Sequence, residues 1–197
     1  SIKLQDKVSS VSNLVQSCEE LEKEILKPRM FLDRFSVLNL IKVCAKEKNL
    51  WKIRRIHADV LNTQLITKDV HVVTSLLSAY AKCGALKEAR ELFECFQMRN
   101  VVTWNALIAG YTQQKLGHEA LKCFKQMQEE GISPNTITLI CAMKACSVIG
   151  SIEVGREIED QIRKQGLLQT DIAVGTTLVD MYAKCGSLEK AQEVFHE

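Results

Sequence analysis

The chain has 197 residues, 46% of them hydrophobic, which is enough apolar material to bury a core. Lys and Arg number 26 against 24 Asp and Glu; a net charge of +2 excludes a sheer positive field, so any polyanion must be met by a local stripe. No apolar run approaches the ~18 residues of a spanning helix, and no membrane insertion is expected.

Two prolines and nine glycines leave little material for turns between strands, and helices are predicted throughout. The opening stretch, "SIKLQDKVSSVSNLVQ", has no apolar signal core, and Asp6, Glu19, Glu20, Glu22 and Glu24 make the first 26 residues too acidic for a transit peptide. Residues 1–33 read as an N-terminal helical cap or a degenerate repeat. From residue 34 the chain repeats itself. "SAYAKCG" at 78–84 returns as "DMYAKCG" at 180–186, and the same shift aligns Thr74 with Thr176, Tyr80 with Tyr182, Ala89 with Ala191 and Phe93 with Phe195. It also aligns Lys42 with Lys144, Cys44 with Cys146, Arg54 with Arg156 and Asp69 with Asp171.

A finer period lies inside, because "SLLSAYAKCGALKEARELF" at 75–93 resembles "ALIAGYTQQKLGHEALKCF" at 106–124. The units run 34–69, 70–100, 101–135, 136–171 and an incomplete 172–197, lengths that signal a solenoid. Each unit holds two amphipathic stretches parted by a breaker. The spacing predicts first helices over 37–46, 73–82, 104–114, 139–148 and 175–184, with no strand. Ala89, Ala120 and Ala191 take the slot where paired helices approach closely. Neither helix of a pair can bury its stripe alone, so the expected fold is all-α: a right-handed α-solenoid of stacked antiparallel helix pairs, first helices on the concave side.

Cys44 and Cys146, like Cys83 and Cys185, are one slot read twice, which marks them as packing residues in a reducing compartment. There is no Cys-x-x-Cys, no His-x-Glu and no phosphate-binding glycine loop, and His57, His71, His118 and His196 are scattered. No metal, cofactor or catalytic residue is expected.

Helix pairs of this period suit tetratricopeptide repeats, which bind peptides, or their RNA-binding relatives. The stretch "NVVTWNALIAGYTQQKLGHEALKCFKQMQEEGISPN", 100–135, resembles a pentatricopeptide repeat from end to end, with Val101, Thr103, Trp104, Asn105, Leu107, Ile108, Gly110, Tyr111, Glu119, Ala120, Leu121, Phe124, Met127, Gly131 and Pro134 in the family's pattern. The succession of unit lengths resembles the plant-type subclass with alternating long, short and ordinary motifs. One departure is Lys115, where the inter-helix glycine usually lies, with Gly117 two places later; a shifted turn is expected there.

The resemblance implies sequence-selective binding of single-stranded RNA by an organellar protein of the mitochondrion or chloroplast, serving editing, processing, stability or translation. The alternative is a scaffold subunit in a large organellar assembly, with other proteins as partners and no base readout. It further implies that two residues per motif choose the base, the fifth and the last. These are Thr74 with Asn100, associated with adenine, and Asn105 with Asn135, associated with a pyrimidine, usually cytosine. Thr176, whose partner lies beyond Glu197, leans toward a purine. Thr and Asn also favour helix starts, so capping stays open as another reading of these residues. The long motifs hold Leu38 with Asp69 and Ile140 with Asp171, and apolar side chains cannot read a base edge. Val72, Val102 and Val174 are candidates to flank a base, and Lys42, Lys82, Lys144 and Lys184 to meet the phosphates.

Overall fold

Asp69, Asn100, Asn135 and Asp171 each precede an apolar stretch and turn a side-chain oxygen onto the free backbone amides that follow. Behind these caps open α3 (Val70–Lys82), α5 (Val101–Gln113), α7 (Thr136–Ile149) and α10 (Ile172–Lys184). The computed structural model describes residues 33–62 and 69–197, and α1 (Arg34–Lys46) opens the first unit. All five helices start three residues before the positions that periodicity predicts, because the cap rather than the first apolar pair sets the start. Their ends fall within one residue of expectation. Asn100 and Asn135 complete capping boxes with Thr103 and Thr138, whose hydroxyls accept the N–H of the cap residue.

Each first helix is followed by a second: α2 (Leu50–Asn62), α4 (Leu86–Cys95), α6 (Gly117–Glu129), α8 (Ile152–Lys164) and α11 (Leu188–His196). The short α9 (Leu167–Thr170), which no periodicity announces, takes up part of the extra length of unit 136–171. No strand occurs among the described residues. The cap expected over residues 1–33 lies, apart from Asp33, outside the described residues.

First helices pack on one another in series, α1 on α3, α3 on α5, α5 on α7 and α7 on α10. Contacts on two sides explain why they are apolar nearly all round, while second helices carry one stripe. The approach is close. A Cβ on Gly110 of α5 would lie 2.7 Å from the Ala81 Cβ of α3, and one on Gly117 of α6 would meet Ile149 Cγ2 at 2.6 Å and the Ala145 carbonyl at 2.8 Å. Ala89, Ala120 and Ala191 are buried, as their slot requires.

Second helices meet the following unit through its first helix. From one second helix to the next they are bridged by long side chains: Arg54 to Glu88, Arg90 Nη2 to Gln126 at 3.0 Å, Gln128 to Gln161 at 3.2 Å, and Arg163 to Glu197 at 2.8 and 3.0 Å. The fold is an all-α solenoid of stacked antiparallel helix pairs, with its first helices along one edge and its second helices along the other.

Every pair closes with the same turn, in which the residue after the left-handed one bonds back to the carbonyl five residues earlier, as Ala85 does to Tyr80 and Leu116 to Tyr111, both at 2.9 Å. The turn needs one left-handed residue. Gly84, Gly150 and Gly186 supply it, and Lys48 and Lys115 adopt it at φ 54° and 60°. The turn at 115 is therefore not shifted; the lysine accepts the strained conformation, and Gly117 serves close packing instead. Because a Cβ in this region costs about 1–2 kcal/mol and Lys115 is exposed, Lys115→Gly should stabilise the fold by about 1 kcal/mol. Chemical denaturation measures this, and a lowered midpoint would contradict the strain.

The repeat also fixes a slot between long and short units. Tyr80 of α3 is buried, and its hydroxyl lies 2.8 Å from His57 Nδ1 of α2. One period later Tyr182 donates to Glu159, a buried carboxylate held by Arg163 Nε at 2.8 Å. Burial pushes the Tyr80 hydroxyl up to about 12 and holds the His57 imidazole below its ordinary 6.5. Below 6.5 the unfolded chain therefore binds a proton that the folded His57 resists, so stability falls as pH drops through that range. The melting temperature should decline from pH 7 to pH 5, above the range where carboxylates protonate. The decline should flatten in His57→Gln; an equal slope in both proteins would refute the assignment.

Candidate nucleic-acid interface

The second residue of every unit projects from the start of its first helix, and Phe35, His71, Val102, Ile137 and Ala173 are all exposed there. Val72 and Val174 occupy the third position and are fully buried, like Thr103. The grouping of Val72 and Val174 with Val102 is thus out of register by one residue. Helices α3 and α10 start at Val70 and Ile172, so the true counterparts of Val102 are His71 and Ala173. Of the three valines only Val102, 50% exposed, presents its side chain to solvent.

Fifth positions stand one turn further in. Thr74 is half-buried and its hydroxyl donates to the Val70 carbonyl; Thr176 is exposed and donates to Ile172 O at 2.7 Å. Neither caps a helix, and each hydroxyl, its proton given to the carbonyl, keeps its lone pairs as acceptors. Asn105 is 8% exposed. Its Nδ2 donates to Asn135 Oδ1 at 3.0 Å, and its Oδ1 accepts from the Thr138 hydroxyl at 2.6 Å. The fifth and last residues of unit 101–135 are therefore in direct contact, whereas Thr74 and Asn100 share no hydrogen bond.

Capping is realised at the last positions. Asn100 Oδ1 accepts from Val102 N at 2.9 Å and Thr103 N at 3.1 Å, and Asn135 Oδ1 from Thr138 N at 3.1 Å. These bonds use the oxygen alone and leave the amide donors over, so capping and base contact are compatible. In the long units Leu38 and Ile140 are half-buried. Asp69 caps α3 and also binds Arg34 Nε at 2.6 Å, while Asp171 caps α10 through Ala173 N at 2.9 Å.

Charge is divided between the two edges of the solenoid, a signal the net value conceals. First helices carry six Lys and Arg (Arg34, Lys42, Lys46, Lys82, Lys144, Lys184) against the single acid Asp180. Second helices carry eleven against twelve acids. Cations of the second helices are mostly spent in ion pairs such as Arg54–Glu88, Arg90–Glu94 and Arg163–Glu159, whereas Lys42, Lys82 and Lys144 are exposed and form no ion pair among the described residues. Lys184 is held by Asp180 at 2.7 Å. Sorting charge by helix rather than by chain would have found this stripe from the sequence.

Residues 99–147 match the PPR repeat family model, and 71–101 and 176–197 match the PPR repeat model. The chain belongs to the PPR repeat family. Among PPR relatives it is 34% identical over 165 residues to the pentatricopeptide repeat-containing protein At4g18520, chloroplastic, of Arabidopsis thaliana, covering 84% of this chain and 26% of that protein. It is 31% identical to the putative pentatricopeptide repeat-containing protein At3g11460, mitochondrial, of the same plant, covering 83% and 26%. The chain thus spans about a quarter of the length of the PPR relatives it matches. Among solved folds it resembles the crystal structure of the PPR protein PPR10 from maize, with a TM-score of 0.64 at 20% identity, over 94% of this chain and 26% of that one. Against PPR10 in complex with an 18-nt psaJ RNA element the TM-score is 0.71 at 18% identity, over 94% and 27%.

No helix among the described residues is long and apolar enough to cross a membrane.

Proposed function

We propose that these units bind single-stranded RNA sequence-selectively along the first-helix edge, as a recognition module rather than a catalyst. The observation that carries this reading is the division of charge: the edge that presents second, fifth and last residues at one set per unit is also the edge where cations outnumber acids. A regular row of short polar groups suits splayed bases, and flanking lysines suit phosphates. Unit 70–100 would read adenine through Thr74 and Asn100, unit 101–135 cytosine through Asn105 and Asn135, and Thr176 would lean to a purine. Val102 would flank a base. The chain fits the plant-type subclass in which long units, here with Leu38 and Ile140 at the fifth position, alternate with short ones and act as spacers.

Relatives named chloroplastic and mitochondrial support an organellar transcript as target, in editing, processing, stability or translation. Ribonuclease footprinting of a bound transcript at fixed salt tests the reading: protection of consecutive nucleotides in register with the units is expected. Absence of protection, together with purification at fixed stoichiometry in a large assembly, would replace it with the scaffold role.

A further inference from the structure

Thr138 does more than close the capping box of α7. It is fully buried at the third position of unit 136–171, yet it faces the polar pair of the unit before. Its Oγ1 accepts the Asn135 backbone N–H at 3.2 Å, which leaves its own proton to donate. Asn105 Oδ1 lies 2.6 Å away and Asn135 Oδ1 3.0 Å. The Thr138 backbone N–H holds Asn135 Oδ1 as well, at 3.1 Å. Both amide oxygens are therefore turned inward onto one residue. Asn105 Nδ2 then gives one proton to Asn135 Oδ1 at 3.0 Å and keeps the other, beside the amide donors of Asn135. What the pair has to offer a ligand is donors from both members.

We propose that Thr138 is a positioning residue that fixes the hydrogen-bonding polarity of the Asn105–Asn135 pair, so that base choice by one unit depends on the third residue of the next. The inference rests on the base reading proposed above. Two donors suit cytosine, whose O2 and N3 both accept, and oppose uracil, whose N3 carries a proton. Nothing equivalent operates at the other junctions described. The Thr103 hydroxyl donates to the Asn100 carbonyl at 2.9 Å instead of reaching Thr74, and Val72 and Val174 have no hydroxyl.

The test is Thr138→Val, which keeps the shape and removes the hydroxyl, with Thr138→Ser as the rescue. Both are measured by competition among RNAs that differ only at the nucleotide facing unit 101–135, in the longest polypeptide that carries these units. The preference for cytosine over uracil should narrow by about three- to tenfold in Thr138→Val, the weight of one hydrogen bond. It should return in Thr138→Ser, with the nucleotide facing Thr74 and Asn100 unaffected. A Thr138→Val protein that keeps the wild-type ratio overturns the role of Thr138 and leaves base reading standing. Wild-type protein that binds all four bases equally overturns base reading, and this inference with it. Should Thr138→Val not fold, the side-chain amide of Asn105 in the wild type gives a second readout by NMR hydrogen exchange. One slow and one fast proton are expected; two fast protons overturn the proposal.

Discussion

Trp104→Ala should lower the stability of the array by about 3–5 kcal/mol. Trp104 is fully buried at the fourth position of α5, and its ring meets Phe93 of α4 edge-on with centroids 4.4 Å apart. Arg99 covers the Phe93 ring at 5.1 Å. The indole therefore ties the second helix of one unit to the first helix of the next, and its loss opens a cavity at a junction rather than inside a pair. Neighbour coupling is what holds a repeat array together, so the damage should spread. The chain has two tryptophans, and Trp51 is 56% exposed. In a Trp51→Phe background, fluorescence during urea unfolding reports on residue 104 alone; calorimetry serves the variant that lacks it. A loss below about 1 kcal/mol, the size of an ordinary surface change, would show that the junction is held elsewhere.

On the base reading proposed above, the double change Thr74→Asn with Asn100→Asp should move the preference at one nucleotide from adenine to uracil, the base that the resemblance implies for Asn followed by Asp. The backbone tolerates the swap. Asp caps a helix as well as Asn, so the bonds from Asn100 to Val102 N and Thr103 N have a direct replacement. Asn at the fifth position already occurs one unit later, where Asn105 donates to the last residue, and a carboxylate at position 100 would accept such a bond. A well-placed base contact is worth about 1–3 kcal/mol of discrimination, so adenine should lose several-fold or more. The nucleotide read by Asn105 and Asn135 should stay as it was. Competition binding at one salt concentration decides the matter, because phosphate contacts make affinity salt-dependent. Equal affinity for all four bases before and after the swap would sink the code and favour the scaffold.

Much of the fold was legible because repetition multiplies weak signals. Tyr80 and Tyr182, or Ala89, Ala120 and Ala191, each mean little alone, but a shared period places them in equivalent slots. Helix starts were misplaced because the apolar pattern was weighed above the caps. Yet Asp69, Asn100, Asn135 and Asp171 are written plainly, each followed three residues on by Val or Thr. The same oversight put Val72 and Val174 in the wrong register. At the candidate interface, motif position singles out the polar pairs for a test, while the charge division shows only when residues are summed helix by helix rather than over the whole chain. Other features had no local signature. That Lys115 tolerates a left-handed backbone, or that Thr138 reaches back to Asn105, depends on how two units stack, and the bridges from Arg54 to Glu88 and from Arg163 to Glu197 join residues on separate hairpins.

The two edges of the solenoid also differ in stiffness. Along the first-helix edge, Gly110 of α5 against Ala81 of α3 leaves no slack, so the spacing of these first helices is fixed by hard contact. Along the other edge, successive second helices are joined by flexible Arg, Glu and Gln side chains, and exposed pairs of that kind contribute only about 0–1 kcal/mol each. Such a body acts as a leaf spring. It opens or tightens by lengthening its second-helix edge at small cost, while the pitch between neighbouring first helices stays constant. Added salt, which screens the second-helix pairs, would soften the spring without disturbing that pitch.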